Sequence, residues 1–318
     1  MPEFIEIRDL KKYYKNKSGM LHAVDGVSMD IKAGETMGVV GESGCGKTTL
    51  GRVLVHLEES TGGKIFFSGK DVTVLRGSKI RDFRSDAQII FQDPYSSLNP
   101  RYTVEETIQE PLKLSRKYSR RDIDRKTMEM MDLVGIAQRL RLSYPHEMDG
   151  GRRQRVGIAR ALALDPRFIV CDEPVSALDV SIQAQILNLL QDLQKEKNLA
   201  YMFITHDLSV VRHISNNISV MYLGHLVETS PTRELFRNPY HPYTKALLSA
   251  VPSLNIRKRK KRIILKGEIS SPINPAPGCR FAIRCSYVKD ECQQRQVLEE
   301  IEPGHYVACC KARELGGS

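Results

Sequence analysis

The chain has 318 residues, enough for about two domains and a sizeable core, which excludes a small scaffold held together by disulfides or metal alone. Its 41% hydrophobic and 27% charged residues are those of a globular protein, and no apolar run approaches the roughly 18–20 residues a membrane span requires. The net charge of +10 admits nucleotide, nucleic acid or an anionic membrane face as partners without choosing among them.

The opening Met1-Pro2-Glu3-Phe4-Ile5-Glu6 lacks both the basic and the apolar region of an export signal, so a cytoplasmic chain with reduced thiols is expected. Short apolar runs then alternate with amphipathic stretches, predicting βαβ units and a mainly parallel sheet. The first buried strand, 37–40, runs into Gly41-Glu42-Ser43-Gly44-Cys45-Gly46-Lys47-Thr48, which fits G-x-x-x-x-G-K-[ST] and continues into the helix-forming Thr49-Leu50-Gly51-Arg52-Val53. The glycines let successive backbone N–H groups curl around an anion, and the helix N-terminus adds positive partial charge. Lys47 is placed to reach the β- and γ-phosphates of a nucleotide, and the Thr48 hydroxyl to ligate Mg²⁺.

A strand is predicted at 87–91, and from 104 to 140 the chain becomes charge-rich with Ile123, Met130 and Val134 at helical spacing, predicting a helical insertion. The strand at 168–171 ends in Asp172-Glu173-Pro174. A buried parallel strand presents acids only at its C-terminal edge, where ligands bind in open α/β sheets. Asp172 suits a Mg²⁺ shell and Glu173 a general base acting on water. An amphipathic helix is predicted over 181–196 and a further strand over 200–204. The basic run at 257–262 reads as a solvated linker, with an anionic leaflet or a docking surface as the alternative.

In this order the motifs resemble the ATP-binding cassette of ABC transporters, over about residues 1 to 250. The resemblance implies ATP and Mg²⁺ as ligands, Gln92 in Phe91-Gln92-Asp93-Pro94 as a sensor of Mg²⁺ and of the membrane partner, and His206 in Thr205-His206-Asp207 as the holder of the γ-phosphate. Ser176-Ala177-Leu178-Asp179 resembles the family's D-loop, whose acid, Asp179, communicates across a dimer. Tyr14 occupies the place of the adenine-stacking aromatic, with Tyr13 as the neighbour that could take that role.

The signature departs from the family pattern. Where the family has Leu-Ser-Gly-Gly-Gln, this chain has Met148-Asp149-Gly150-Gly151-Arg152. In the family this loop offers a serine, backbone N–H groups and a helix dipole to the nucleotide of the opposite subunit. Asp149 would set an anion against that phosphate, offset in part by Arg152, while remaining a good N-cap. The expectation is a pairing with a second, non-identical ATPase subunit.

The tail, through Asn238-Pro239-Tyr240-His241-Pro242-Tyr243-Thr244 and Ser271-Pro272-Ile273-Asn274-Pro275, resembles the oligopeptide, dipeptide and nickel importer branch. Five of the seven cysteines fall in the last forty residues, and the spacing Cys279-x5-Cys285-x6-Cys292-x16-Cys309 suits a metal centre able to fold a tail with little core. It matches neither common zinc ribbons nor bacterial ferredoxins. By resemblance a [4Fe–4S] cluster is expected, with Zn²⁺ or free thiols as alternatives and Cys310 competing with Cys309 for the fourth position.

The expected fold is therefore α/β: a P-loop NTPase cassette with a RecA-like parallel-sheet core, antiparallel N-terminal strands and a helical subdomain, followed by a small Cys-rich C-terminal extension. The expected division is a nucleotide-binding core at 1–92 and 165–250, a helical subdomain at 93–164 and the extension at 251–318. The implied function is ATP hydrolysis energising di- or oligopeptide import, with two integral-membrane permease subunits and, indirectly, an extracytoplasmic peptide-binding protein, peripherally on the cytoplasmic side of the membrane. A soluble ABC ATPase acting on nucleic acid or ribosomes is the alternative. It fits less well, because one cassette stands uninterrupted and the cysteines follow it.

Overall fold

The computed structural model describes residues 4–251, 262–265, 267 and 271–316; the basic run at 257–262 lies, apart from Arg262, outside them. β1 (Ile5–Asn16) and β2 (Gly19–Ile31) pair antiparallel, and the wholly buried β3 (Thr36–Val40) leads through the glycine-rich loop into α1 (Lys47–Leu54). β4 (Gly62–Phe67) and β5 (Lys70–Asp71) return to the first two strands, and α2 (Ser78–Asp86) leads to β6 (Ala87–Ile90). Then come the short α3 (Pro94–Ser97), α4 (Val104–Ser115), α5 (Arg120–Leu133) and α6 (Gly150–Leu162). β7 (Phe168–Asp172), α7 (Val180–Lys197), β8 (Ala200–Thr205), α8 (Leu208–Ile214) and β9 (Asn217–Tyr222) resume the βα alternation. β10 (His225–Pro231), α9 (Thr232–Arg237), α10 (Pro242–Ser249), β11 (Glu299–Glu302), β12 (His305–Val307) and α11 (Ala312–Leu315) complete the chain.

Two sheets result. One is antiparallel in the order β2-β1-β4-β5; the other runs β11-β12-β10-β9-β3-β8-β7-β6. Its β9-β3-β8-β7-β6 part is parallel, as the continuous apolar runs predict, since such strands are covered on both faces. The strands expected at 37–40, 87–91, 168–171 and 200–204 all lie in this sheet, within a residue or so of their predicted ends.

α1 lies between the sheets. Its Leu50, Val53 and Leu54 share one apolar cluster with Ile7, Leu10, Val24 and Val27 of the first sheet and with Val170 and Ile204 of the second. Gly51 lets the helix sit this close, because a Cβ there would come within 2.7 Å of Val170 and 2.9 Å of Ile204. The opposite face of β7 and β8, through Ile169, Cys171, Tyr201 and Phe203, packs in a second cluster with α4, α5, α6 and α7. The expected helical insertion is thus two helices, divided where Arg116 adopts a left-handed backbone (φ 58°) and Ser119 caps the second. α4 itself starts on a reciprocal capping box between Thr103 and Glu106.

The tail is joined to this framework. β12 pairs with β10 through Glu228↔Val307 and Thr229↔Tyr306, so the last strands extend the main sheet. Among the described residues no helix is long and apolar enough to cross a membrane.

Candidate active site

The glycine-rich loop leaves the C-terminal edge of β3. Gly46, the residue before α1, sits at φ 107°, and a Cβ there would lie 1.9 Å from the Ala23 carbonyl oxygen, so the loop's curvature excludes a side chain at this point. The Lys47 ammonium donates to the carbonyls of Gly41 (2.8 Å) and Glu42 (3.0 Å), which folds its side chain back across the loop. Cys45 is buried against Lys47, and burial pushes its thiol up, so it packs as a small apolar side chain. Ser43 and Gly44 are exposed at the mouth of the loop, and Thr49 follows Thr48 in the first turn of α1.

The other polar groups arrive from the C-terminal ends of the adjacent parallel strands. Thr48 Oγ1 donates to Asp172 Oδ1 at 2.9 Å, joining α1 to the end of β7. Burial raises the Asp172 carboxyl above its ordinary range despite that bond, as expected of an acid placed for a cation. Glu173 follows at φ 45°, a left-handed backbone unusual for a residue with a side chain, held by its N–H donating to Ile204 O at 2.9 Å. Its carboxylate is gripped from both sides. Gln92 Nε2, just past β6, donates to Oε2 at 3.0 Å, and His206 Nδ1, just past β8, lies 3.1 Å from Oε1. His206 stays 60% exposed at its side chain while Glu173 is 14% exposed, so the pair faces an opening. An anion-binding loop, a buried carboxylate beside a hydroxyl, and a second carboxylate oriented by an amide and an imidazole can together bind a metal–polyphosphate and direct a water at its terminal phosphorus.

The structure separates the two tyrosines. The Tyr13 hydroxyl donates to Asp25 and its ring stacks on His22 at 4.0 Å between centroids. Tyr14 instead donates its hydroxyl to Glu58 and contacts Thr49 of α1, with Lys12 over its ring at 4.8 Å. Tyr14 is thus the one beside the phosphate-loop helix.

At the altered signature, Asp149 caps α6, its Oδ1 accepting from the Arg152 N–H at 2.8 Å while Oδ2 lies 3.5 Å from Arg152 Nε. Gly150 and Gly151 form the first turn, where a Cβ would come within 3.1 Å of Leu178 and 2.8 Å of Ile182. Asp179 stands at the N-terminus of α7, its carbonyl accepting from Gln183 at 2.8 Å. Asp149, Arg152 and Asp179 are exposed.

The expected iron–sulfur cluster is overturned. Among the described residues, no three or more Cys, His, Asp or Glu side chains come together to hold a metal ion, and nothing supports the Zn²⁺ alternative. Cys279, Cys285, Cys292, Cys309 and Cys310 line one small pocket with Phe281, and Cys292 Sγ lies 3.7 Å from Cys310 Sγ. Burial pushes the Cys279 thiol up to about 11 and the Cys309 thiol up to about 12. Spacing along the chain did not fix where the sulfurs point.

Sequence reasoning missed a group of long-range contacts. Asp25 takes hydrogen bonds from Tyr13, His22 and His225 and pairs with Arg280 of the tail. Glu42 of the phosphate loop pairs with Arg284, also of the tail. The buried Glu228 accepts from the N–H groups of Tyr240 and His241 and from His305. Apart from His22, three residues from Asp25, each partner lies 12 or more residues away along the chain, so no local pattern announces it.

A parallel sheet whose strand ends gather a phosphate loop, two acids, a glutamine and a histidine is the architecture of an ATP-binding cassette. The family model "ABC transporter" matches residues 24–176, and "Oligopeptide/dipeptide transporter, C-terminal region" matches 227–292. The oligopeptide transport ATP-binding protein AppF of Bacillus subtilis is 50% identical over 316 residues, covering 96% of both chains. OppF of Salmonella typhimurium is 50% identical over 98% of this chain and 97% of its own, and the dipeptide transport protein DppF of Escherichia coli 48% over 95% and 92%. Among solved structures, the dimeric ATP-binding cassette MJ0796 bound to ADP and Pi superposes with a TM-score of 0.65 at 28% identity, over 72% of this chain and 99% of that one. CbiO1 of Clostridium perfringens, part of the transporter complex cbiONQ, gives 0.66 at 27% identity over 74% and 91%. The chain belongs to the family of oligopeptide and dipeptide transport ATP-binding proteins.

Proposed function

We propose that this chain hydrolyses ATP to energise the import of di- or oligopeptides, docked peripherally on the cytoplasmic side of the membrane against two integral-membrane permease subunits. The observation that carries the chemistry is the convergence on one sheet edge of Thr48–Asp172 and of Gln92–Glu173–His206. The near full-length similarity to peptide transport ATP-binding proteins supports the substrate class.

The phosphate loop, with Ser43 through Thr49, cradles the polyphosphate, Lys47 exchanging its loop carbonyls for the β- and γ-phosphates. Thr48, Asp172 and Gln92 would hold Mg²⁺, which when bound neutralises charge on the phosphates. Glu173 orients and deprotonates the attacking water, and His206 steadies the γ-phosphate. Tyr14 covers the adenine. These roles divide the chain into a core at 1–92 and 165–250, a helical part at 93–164 carrying Asp149, Gly150, Gly151 and Arg152 toward a partner's nucleotide, and an extension at 251–318.

A lone phosphate loop leaves the γ-phosphate open to water, and closure against a second subunit supplies the missing donors only when ATP is present. That makes ATP a differential ligand for the closed state. With Asp149 replacing the serine, the partner is a non-identical ATPase subunit with an intact signature, and Asp179 communicates across the interface. An extracytoplasmic peptide-binding protein delivers the cargo.

In cells lacking this chain, uptake of a labelled tripeptide should be lost, then restored by the wild-type chain and not by Glu173→Gln. Uptake that persists without the chain would overturn the assignment.

A further inference from the structure

Glu42, the second residue of the phosphate loop, is held at three points. Its carbonyl accepts from the Lys47 ammonium at 3.0 Å, its N–H donates to the Tyr243 hydroxyl at 2.8 Å, and its carboxylate is clasped by the Arg284 guanidinium through two bonds of 2.8 and 3.1 Å. Arg284 is 9% exposed and Glu42 24% at the side chain, so the pair is largely shielded from water. Arg284 is itself positioned by the Tyr222 hydroxyl at 3.3 Å and lies over the Tyr222 ring at 5.9 Å. Tyr243, on α10, packs edge-on against the same ring at 4.7 Å, so both clamps on the loop share one aromatic support.

A carboxylate is an awkward neighbour for a site that must take a polyphosphate. Left uncompensated, its charge opposes the incoming anion, and the opposition grows with the charge of the nucleotide. A bidentate guanidinium removes that charge and fixes the carboxylate's direction, which a mobile ammonium would do less well. The residue that does this comes from 242 positions away in sequence, in the tail rather than the cassette core.

We propose that Arg284 is a positioning residue for the phosphate loop, neutralising and orienting Glu42 so that the loop accepts nucleoside polyphosphates. Through it the C-terminal extension sets the affinity of the ATP site. This rests on the assignment of Gly41–Thr48 as the phosphate loop.

The test is equilibrium binding of ATP, ADP and adenosine to the full-length chain and its variants, each first matched to wild type by circular dichroism. Arg284→Met should weaken ATP by about tenfold, ADP by less and adenosine not at all. Combining it with Glu42→Gln should recover most of the lost ATP affinity, because the charge left unpaired is gone. Arg284→Lys, which keeps the charge and most of the packing, should fall between wild type and Arg284→Met and serves if the methionine variant does not fold. Equal losses for all three ligands, or no recovery in the double variant, would mean a purely structural role and would overturn the proposal; so would unchanged ATP affinity in Arg284→Met. A wild-type chain that binds no ATP would instead overturn the phosphate-loop assignment beneath it.

Discussion

The hydroxyl of Thr48 donates to the carboxylate of Asp172 at 2.9 Å, across 124 residues of sequence, and so ties the first turn of α1 to the end of β7. The acid is buried, and burial outweighs the Thr48 hydrogen bond and the charges of Arg52 and Lys47 to hold its carboxyl above the ordinary range. A carboxyl raised in the folded state contributes stability that is present below its unfolded value and is lost as pH rises through the folded one. Asp172→Asn, which keeps an oxygen for Thr48, should therefore melt at a higher temperature than wild type at pH 7.5 in the absence of nucleotide, with the difference closing on acidification toward the ordinary carboxylate range. Calorimetry across that range checks it. In the same variant, affinity for ATP should lose its dependence on Mg²⁺, which a titration with and without chelator measures.

Glu173 is oriented by Gln92 and His206 rather than by burial. Replacing it by Gln keeps the shape and removes the base, so steady-state ATP turnover of the assembled transporter should fall by about 100-fold or more, the usual scale of general-base loss. Nucleotide affinity measured on the same preparation should stay near wild type. A loss of binding comparable to the loss of turnover would place Glu173 in the binding machinery instead.

Asp25 shows the opposite electrostatics to Asp172. Burial alone would raise its carboxyl, but hydrogen bonds from His225, Tyr13 and His22, with the charge of Arg280, outweigh it and hold the group well below the usual carboxylate range. A depressed carboxyl contributes stability above its unfolded value and loses it as pH falls. Asp25→Asn should cost at least about 1 kcal/mol at pH 7, since it weakens several bonds and leaves Arg280 less well paired. The deficit should shrink as the pH is lowered through and below the ordinary carboxylate range, as urea midpoints of the two proteins would show.

Asp149 contributes a cap whatever its effect on a partner's nucleotide. Asp149→Ala should cost about 1 kcal/mol of stability, and Asp149→Ser only a few tenths, because serine caps as well as aspartate. Chemical denaturation separates the two. If the aspartate also repels the phosphate held by the partner, Asp149→Ser should raise the ATP turnover of the assembled pair, measured at saturating ATP.

The phosphate loop, the acids Asp172 and Glu173, and the parallel strands beneath them were legible in the sequence because each depends on local backbone demands. Gly46 needs a positive φ beside the Ala23 carbonyl, a doubly covered strand needs an unbroken apolar run, and its acids can appear only where it emerges. Resemblance supplied Gln92 and His206, whose meeting on Glu173 required the strand order β3-β8-β7-β6 to place three loop ends side by side. Tertiary structure alone separated Tyr13, bound to Asp25, from Tyr14, beside α1. It also brought Arg280 and Arg284 of the tail onto Asp25 and Glu42, and it turned the five tail cysteines to a small pocket without making them a metal site. The physical reason is the same in each case: sequence spacing constrains the backbone nearby, whereas the direction of a side chain and the identity of its distant partner depend on how the whole chain packs.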